Sequence, residues 1–316
     1  MTAEIIELVH KDSGTTAKIL PDFGFNCFSF QVPSGGKPVE VLWAHPEITS
    51  LDQRPSGSGI PLLFPFCGRI AGTTLEYEGN EYQLEEGDGQ GNAIHGFVLN
   101  RPWRVIQNEE AFTVGEFHAS RDDASLLDRW PADFAVRVRY QVADSALRCA
   151  VEIYNPDDHP LPFGWGTHPY FRLPIGGAGQ VEDTLLSVPA ERYWELSELR
   201  PTGRLRPATG AMNFTSGTKL GDRNLDDVLT HLATRDGKCT TRLENPANRH
   251  AIVQTFDETV GHCVVYTPPH REAICIEPYT CVPDPFRLES RGIETGLALL
   301  KPGESFRTKI EIRYRQ

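Results

Sequence analysis

Two histidines of the chain lie in segments that lack an ordinary strand pattern. His95 follows a glycine-rich stretch and is flanked by Ile94 and Gly96, whereas His168 lies in the aromatic run 163–171. An imidazole exchanges protons near neutral pH, and aromatic rings can stack on the flat apolar face of a ligand such as a sugar. This pattern favours proton transfer at His168 over the alternative of an aromatic core with a histidine bonded to the backbone. For His95, a hydrogen-bonded core histidine is at least as good an interpretation.

A carboxylate, Glu277, follows directly on the apolar run 273–276. A short continuous apolar run is typical of a strand buried on both faces, so we expect Glu277 to be partly desolvated. Desolvation raises the pKa of a carboxylate and makes it a stronger base. The alternative is a solvated glutamate at the end of a strand. Pro278 and a second carboxylate, Asp284, indicate a loop of fixed shape after it.

Arg69 ends the apolar, proline-rich stretch 59–68. In that setting we expect a partly buried guanidinium that needs hydrogen-bond acceptors, although an arginine in a surface ion pair is the alternative. The sequence contains no GxSxG motif, and no cysteine has an evident histidine partner. These residue types therefore favour proton-transfer chemistry over covalent catalysis.

Neither the cysteines nor the histidines are spaced as metal ligands. The chain has 7 Cys and 10 His, but no CxxC, HxH or HExxH spacing. Most of the cysteines stand in apolar surroundings, which is typical of buried free thiols in a reducing compartment. We therefore expect a cytoplasmic protein without a metal site of these kinds.

The elements that must position these groups are mainly strands. Residues 134–142 and 146–154 alternate around a turn, residues 308–314 alternate at the C-terminus, and residues 74–78 and 81–84 flank a hairpin turn at Gly79-Asn80. Long helical periodicity is missing. Short helices are predicted only at residues 125–129, 191–196 and 225–232.

Length and charge limit the remaining possibilities. The 316 residues carry 31 Lys+Arg and 43 Asp+Glu, a net charge of −12, which argues against nucleic acid as a partner. No apolar run is long enough to cross a membrane, and the N-terminus does not resemble a secretory signal. No linker or internal repeat is evident. The sequence predicts an all-β chain that forms one large, many-stranded antiparallel β-sandwich domain over residues 1–316, with a few short helices.

Five motifs, in this order, resemble those of the aldose 1-epimerase (galactose mutarotase) family, in its broad group related to galactose mutarotase. They are Gly68-Arg69-Ile70, Ile94-His95-Gly96-Phe97, Thr167-His168-Pro169-Tyr170-Phe171, Leu225-Asp226-Asp227, and Glu277-Pro278 followed by Pro283-Asp284. The sequence departs from the galactose-specific members at Gly96-Phe97, at Pro278-Tyr279 and around Val264-Val265-Tyr266. The resemblance therefore leaves the sugar open.

The resemblance implies a galactose mutarotase-like supersandwich that interconverts the α and β anomers of a free hexose by acid–base ring opening. It implies Glu277 as the general base and His168 as the general acid. No cofactor or metal is implied. The partner is a monosaccharide, and the chain is a monomer or a homodimer. Residues implied to bind the sugar are Arg69, His95 and Asp226, with Asp227 as the alternative to Asp226 and with Trp165, Tyr170 and Tyr266 as further contacts.

Other interpretations stay open from the sequence. A mutarotase for phosphorylated hexoses would need cationic groups at the rim, for which Arg54 and Arg172 are candidates. A non-enzymatic sugar-binding module could use the same scaffold. A lyase or glycoside-cleaving enzyme would need paired carboxylates, for example Glu277 and Asp284. Asp226 could instead be an N-terminal residue of a helix that contains Val228.

Overall fold

The computed structural model of the chain describes residues 3–316. These residues form 27 strands, two short α-helices and six 3₁₀ helices. Within this range, no helix is long and apolar enough to cross a membrane.

The strands account for most of the regular structure. They are β1 (Ile6–His10), β2 (Thr15–Leu20), β3 (Asn26–Ser34), β4 (Lys37–Glu40), β5 (Leu62–Leu63), β6 (Arg69–Ile70), β7 (Thr74–Tyr77), β8 (Asn80–Gln83), β9 (Ala93–Ile94), β10 (Arg104–Asn108), β11 (Phe112–His118), β12 (Ala135–Ala143), β13 (Ala146–Tyr154), β14 (Leu161–Phe163), β15 (Gly166–Thr167), β16 (Tyr170–Arg172), β17 (Leu185–Ser187), β18 (Ala190–Ser197), β19 (Arg200–Pro207), β20 (Thr218–Lys219), β21 (Asp226–Leu232), β22 (Lys238–Glu244), β23 (Ala251–Asp257), β24 (His262–Tyr266), β25 (Ala273–Tyr279), β26 (Ala298–Leu300) and β27 (Ser305–Arg315).

The helices are short connections. The α-helices are α1 (Ala119–Asp122) and α2 (Pro285–Glu289), and the 3₁₀ helices are Ile48–Ser50, Val98–Asn100, Ala124–Asp128, Ile175–Gly177, Val181–Asp183 and Gly210–Met212.

Two large antiparallel sheets form the sandwich. One has nine strands in the order β10-β11-β12-β13-β27-β23-β22-β17-β20, and the other has eight strands, seven of them in the order β19-β18-β21-β24-β25-β15-β5, with β16 paired to β25. The inner faces of both sheets contribute to one hydrophobic core, in which Val138 and Ile310 of the first sheet join Leu229 and Ile276 of the second. The prediction of a many-stranded antiparallel β-sandwich is confirmed.

Two of the predicted hairpins are present. Strands β12 and β13 pair from Ala143↔Ala146 outward, as the alternation predicted. Strands β7 and β8 also form a hairpin, but the register Tyr77↔Asn80 places the turn at Glu78-Gly79, one residue earlier than predicted. Both turn residues have positive φ, 49° and 79°, as a two-residue turn that matches the strand twist requires.

Two of the three predicted helices are wrong. Residues 191–196 belong to β18, which pairs with β19 and β21, and residues 225–232 fall almost entirely in β21, which pairs with β18 and β24. Pairing on both edges and burial of Leu229 outweigh the weak helical pattern of such short segments. Asp226 is therefore a strand residue and not a helix N-terminus. The third segment is helical, as the 3₁₀ helix Ala124–Asp128.

Candidate active site

A pocket of about 410 Å³ opens on the face of the eight-stranded sheet that points away from the core shared with the nine-stranded sheet. It brings together residues that are up to 229 positions apart in the sequence, from Arg54 to Pro283. The predicted site residues that line it are Arg69, His95, His168, Tyr170, Asp226, Tyr266 and Glu277.

Strand alternation explains why the pocket residues of the sheet share one face. Side chains two positions apart point to the same side of a strand, so Glu277 and Tyr279 of β25 lie together. Glu277 is paired with Val264 of β24, and Tyr266 of β24 is paired with Asp226 of β21. Directly paired residues also share a face, so both acidic side chains point into the pocket.

Glu277 and His168 are in direct contact at the base of the pocket. The Nε2 atom of His168 lies 3.3 Å from Oε1 of Glu277, and the two side chains are only 8% and 2% exposed. Burial raises the pKa of Glu277 well above its ordinary value, a shift that the hydrogen bond from the Tyr279 hydroxyl opposes. The expectation of a desolvated carboxylate at position 277 is confirmed.

His168 is held by its backbone and by a neighbouring ring. Its backbone N–H donates to the carbonyl of Pro61, and its imidazole stacks on Tyr170 with the ring centroids 4.8 Å apart. Burial lowers the pKa of His168 to about 3, so its side chain in the folded protein is neutral near pH 7. Its Nδ1 atom is buried and has no hydrogen-bond partner. An unpaired buried polar atom is costly, and a catalytic role is one reason for a protein to keep it.

His95 stands at a bend that requires the glycine after it. His95 and Gly96 both have positive φ, and a Cβ at Gly96 would lie 2.0 Å from the carbonyl oxygen of Phe64. The backbone N–H of Gly68 donates to Nδ1 of His95 at 3.3 Å, which leaves the N–H of this neutral ring on Nε2. Burial, followed by the neighbouring His168, lowers the pKa of His95 well below its ordinary value. His95 therefore presents a neutral hydrogen-bond donor.

Arg69 and Asp226 are residues of opposite charge type that line the pocket. The Nε atom of Arg69 donates to Asp88 at 3.2 Å, and its side chain is 19% exposed, which keeps the guanidinium in place. Burial would raise the pKa of Asp88, but hydrogen bonds from Asn92, Gln90 and Arg69 lower it to about 2. Burial raises the pKa of Asp226, and the charge of Arg69 opposes this shift.

Several residues considered from the sequence are not at the pocket. Trp165 is completely buried in the main core, so it offers no stacking face. Asp227 alternates to the opposite side of β21, and of the doublet only Asp226 lines the pocket. Arg172 donates to the carbonyl of Leu42. Asp284, the residue just before α2, accepts from Arg287 within that helix.

Other pocket residues were not recognised as site residues from the sequence. They include Ser56, His270 and Tyr279, whereas Arg54, considered as a rim cation, does line the pocket. The sequence could have indicated Tyr279 as a pocket residue, since it lies two positions after Glu277 and so on the same face of the strand. The segments that carry Ser56 and His270 are loops, for which sequence periodicity gives no direction.

One cluster at the pocket has the composition of a metal site. His168, Cys275 and Glu277 each offer one ligand atom within 4.8 Å of the others. Metal ligation by cysteine requires the thiolate. Burial, followed by the charge of Glu277, raises the pKa of Cys275 well above its ordinary value, so the thiol stays protonated. A metal bound by this donor set would therefore have to displace the proton of the Cys275 thiol.

Comparison with known proteins gives consistent results. The chain is similar to a galactose mutarotase-like protein from Clostridium acetobutylicum, with a TM-score of 0.85, 19% identity and coverage of 100% of this chain and 99% of that one. It is also similar to the GalM/aldose epimerase homologue from C. elegans, with a TM-score of 0.81, 20% identity and 99% coverage of both chains. At these identities the likeness establishes the fold.

A relative by sequence is the uncharacterized protein YihR of Escherichia coli strain K12, which is 24% identical over 250 residues, or 78% of this chain and 76% of YihR. The profile of the aldose 1-epimerase family matches residues 4–313. That match covers nearly the whole chain, which therefore belongs to the aldose 1-epimerase family.

Proposed function

We propose that the chain interconverts the α and β anomers of a free hexose, with Glu277 as general base and His168 as general acid. The observation that carries the proposal is the buried contact between Nε2 of His168 and Oε1 of Glu277, 3.3 Å apart at the base of the pocket. An acid and a base held together out of water are what a ring-opening reaction needs. A binding site alone does not need both.

The reaction opens and closes the sugar ring. Glu277 removes the proton from the C1 hydroxyl while His168 protonates the ring oxygen, so the C1–O5 bond breaks and C1 becomes a carbonyl. Rotation about C1–C2 then presents the other face of the carbonyl. On closing, His168 takes the proton back from O5 and Glu277 returns its proton to O1. Both groups end in their starting states, and no atom is gained or lost.

The protonation state of the pair depends on the ligand. Burial favours the uncharged arrangement, in which Glu277 is protonated and His168 is neutral, because it shifts both pKa values toward the uncharged forms. The proposed reaction starts from the charged arrangement. The charge of Asp226 opposes ionisation of Glu277 and the charge of Arg69 favours it, while hydroxyl groups of a bound sugar add hydrogen bonds to both members of the pair.

The rest of the pocket suits a polyhydroxylated ring. Arg69 and the Nε2–H of His95 are donors to sugar oxygens, and Asp226 is an acceptor for hydroxyl hydrogens. Tyr170 and Tyr266 flank the imidazole of His168, with ring centroids 4.8 Å and 6.0 Å from it. We assign Arg69, His95 and Asp226 to substrate binding. Orientation by these groups adds to the acid–base effect.

The test is the rate at which optical rotation of fresh α-glucose and α-galactose reaches equilibrium. The wild-type chain should accelerate this change, and Glu277→Gln and His168→Asn should each remove most of the acceleration. If both variants keep the wild-type rate, the assigned mechanism is wrong. If the sugar binds and the wild type gives no acceleration, the chain is a sugar-binding module.

A mutarotase for phosphorylated hexoses is a second candidate, because the exposed Arg54 lines the pocket. Its guanidinium could pair with a phosphate at the rim. Saturation of the rate by glucose and by glucose 6-phosphate, in the wild type and in Arg54→Gln, distinguishes the two. A preference for the phosphate that is lost in Arg54→Gln would establish this candidate.

A further inference from the structure

The hairpin formed by β18 and β19 reaches the pocket with its tip. β18 pairs with β21 from Ala190 to Tyr193, whereas it pairs with β19 as far as Ser197, so the end of the hairpin projects past the ladder that ties it to the sheet. The two-residue turn Glu198-Leu199 closes this hairpin. Leu199 lines the pocket, and so does Leu196 of β18.

The residues of this turn are poorly suited to its conformation. Glu198 and Leu199 have φ of 50° and 60°. A two-residue hairpin turn with positive φ at both positions favours asparagine or aspartate at the first position and glycine at the second. Positive φ brings the Cβ of an L-residue too close to its own backbone, and for a bulky residue such as leucine it is a strained conformation. The turn therefore carries a free-energy cost that a glycine at position 199 would avoid.

Two other turns of the chain have the glycine that this one lacks. Glu78-Gly79, between β7 and β8, and Asp236-Gly237, just before β22, also have positive φ at both positions. A Cβ at Gly79 would meet no atom within 4 Å, so the backbone conformation, and not a steric contact, favours glycine there. The same sign of φ occurs at position 199, where the residue is leucine.

Burial in the core does not account for this leucine, because Leu199 is 39% exposed. Leu196 is half-buried and packs against an apolar cluster that includes Val228, Val264 and Tyr279, all of which line the pocket. Leu199 adds to this apolar wall a side chain that is open to solvent. A single exposed leucine is ordinary, but backbone strain retained at a pocket is typical of a residue with a function.

Arg287 of α2 holds the hairpin in place. Its Nη2 atom donates to the carbonyl of Pro201 in β19 at 2.7 Å, and its Nε atom donates to Asp284. Asp284 is 3% exposed and directly follows Pro283, which lines the pocket. One guanidinium thus ties the hairpin to a loop at the pocket, which fixes the position of the tip that bears Leu199.

We propose that Leu199 is a substrate-binding residue, which packs its side chain on the C–H surface of the bound sugar. The apolar wall suits the edge of a sugar that presents C–H groups or a deoxy position, and it disfavours a charged substituent there. The inference rests on the proposed function only for the class of ligand, a hexose, because the contact takes no part in the proton transfer.

Removal of the side chain separates a binding role from a structural one. Leu199→Gly takes away the proposed contact and at the same time suits the positive φ. The dissociation constant of the sugar should therefore rise about fivefold, as expected for the loss of roughly 40 Å² of apolar contact, while Tm should not fall. Titration calorimetry with glucose, galactose, mannose and 6-deoxygalactose measures the first quantity, and scanning calorimetry without sugar measures the second.

Two further variants are the controls. Glu198→Gly makes the same kind of change at the neighbouring position of the turn, which does not line the pocket, so the dissociation constant should stay within twofold of the wild type. Leu199→Met keeps an apolar side chain at position 199 and should restore most of the affinity. Polarimetry adds a third measurement. In Leu199→Gly, KM should rise with the dissociation constant and kcat should change less than twofold, because the contact is made equally with substrate and transition state.

An unchanged dissociation constant in Leu199→Gly would overturn the inference. So would a fall in Tm that accompanies the loss of affinity, because the leucine would then have a structural role only. If none of the four sugars binds to the wild type, the inference is wrong as well. A wild type that binds sugar without accelerating anomerisation contradicts the proposed function instead, and the comparison of dissociation constants still decides the role of Leu199.

Discussion

The outward faces of the two large sheets differ in how far their paired ionisable side chains are exposed to solvent. On the nine-stranded sheet, Arg148 and Glu311 are direct cross-strand partners 2.8 Å apart, and their side chains are 49% and 32% exposed. On the eight-stranded sheet, His168 contacts a strand carboxylate, Glu277, and the two side chains are 8% and 2% exposed. The charged side chains of this pair on the first face are solvated. The ionisable side chains of the pair on the second face are buried and desolvated.

This difference is the reason for placing the proposed chemistry on the eight-stranded sheet. In a solvated ion pair the pKa of the carboxylate tends to be lowered. At Glu311 burial alone would raise the pKa, but hydrogen bonds from Arg148 and Arg313 lower it. A desolvated pair has pKa values shifted toward the uncharged forms, which brings proton exchange closer to neutral pH for a carboxylate.

The largest expected effect comes from removing the buried carboxylate of the eight-stranded sheet, and it is an effect on the anomerisation rate. Glu277→Gln keeps the shape of the side chain and removes its basicity, so the catalysed anomerisation rate should fall by roughly 10²- to 10⁴-fold. Polarimetry at saturating sugar measures it. Circular dichroism should show an unchanged fold, and a rate within twofold of the wild type would remove Glu277 from the mechanism.

The next effect concerns stability against acid. The pKa of His168 is lowered to about 3 in the folded chain, while 6.5 is its ordinary value. Below pH 6.5 the unfolded chain takes up a proton that folded His168 does not, so stability present above pH 6.5 is lost as the pH falls. By pH 5 this loss is about 2 kcal/mol.

His168→Asn should therefore reduce the drop in unfolding free energy between pH 7 and pH 5 by about that amount, as measured by denaturant titration at each pH. His159 is the control, because it is exposed and hydrogen bonding to Asp157 raises its pKa, so His159→Asn should not reduce the drop. An identical pH dependence in His168→Asn and the wild type would show that His168 is not desolvated as described.

A smaller effect is expected from the binding residues. Asp226→Asn keeps a carbonyl acceptor but removes the charge, so kcat/KM should fall roughly tenfold, about 1.4 kcal/mol, with most of the change in KM. Asp227→Asn is the matched control on the opposite side of the same strand. A larger loss in Asp227→Asn than in Asp226→Asn would reverse the assignment within the doublet.

The smallest effect is expected on the solvated face. Arg148→Ala breaks the pair with Glu311, yet exposed ion pairs contribute less than about 1 kcal/mol, and the rate should not change. Thermal unfolding and polarimetry measure the two quantities. A loss of activity comparable to that of Glu277→Gln would mean that the contrast between the faces does not locate the site.

The sequence predicted the parts of the fold that depend on local pattern. Alternation in β12 and β13 and the glycine turn of the β7–β8 hairpin identified strands and pairing, because burial of one face imposes a period of two. The segments of β18 and β21 were misassigned as helices, since each is short and its strand partners come from distant parts of the chain.

The site was partly predictable for a related reason. Glu277 and His168 could be singled out because their segments have unusual composition, and the motif order linked them to Arg69. The position of Asp226 on the pocket side of β21 and the core position of Trp165 depend on sheet register and packing, which one sequence does not specify. Arg54 and His270 reach the pocket from loops, whose paths follow from tertiary contacts.

The most direct test of the account is the exchange rate between α and β anomer signals of glucose or galactose, measured by NMR with the wild type, Glu277→Gln, His168→Asn and the double variant. If the two residues act as one proton-transferring pair, the double variant should be about as slow as the slower single variant. Losses that multiply in the double variant would contradict this, because they would mean that Glu277 and His168 act independently.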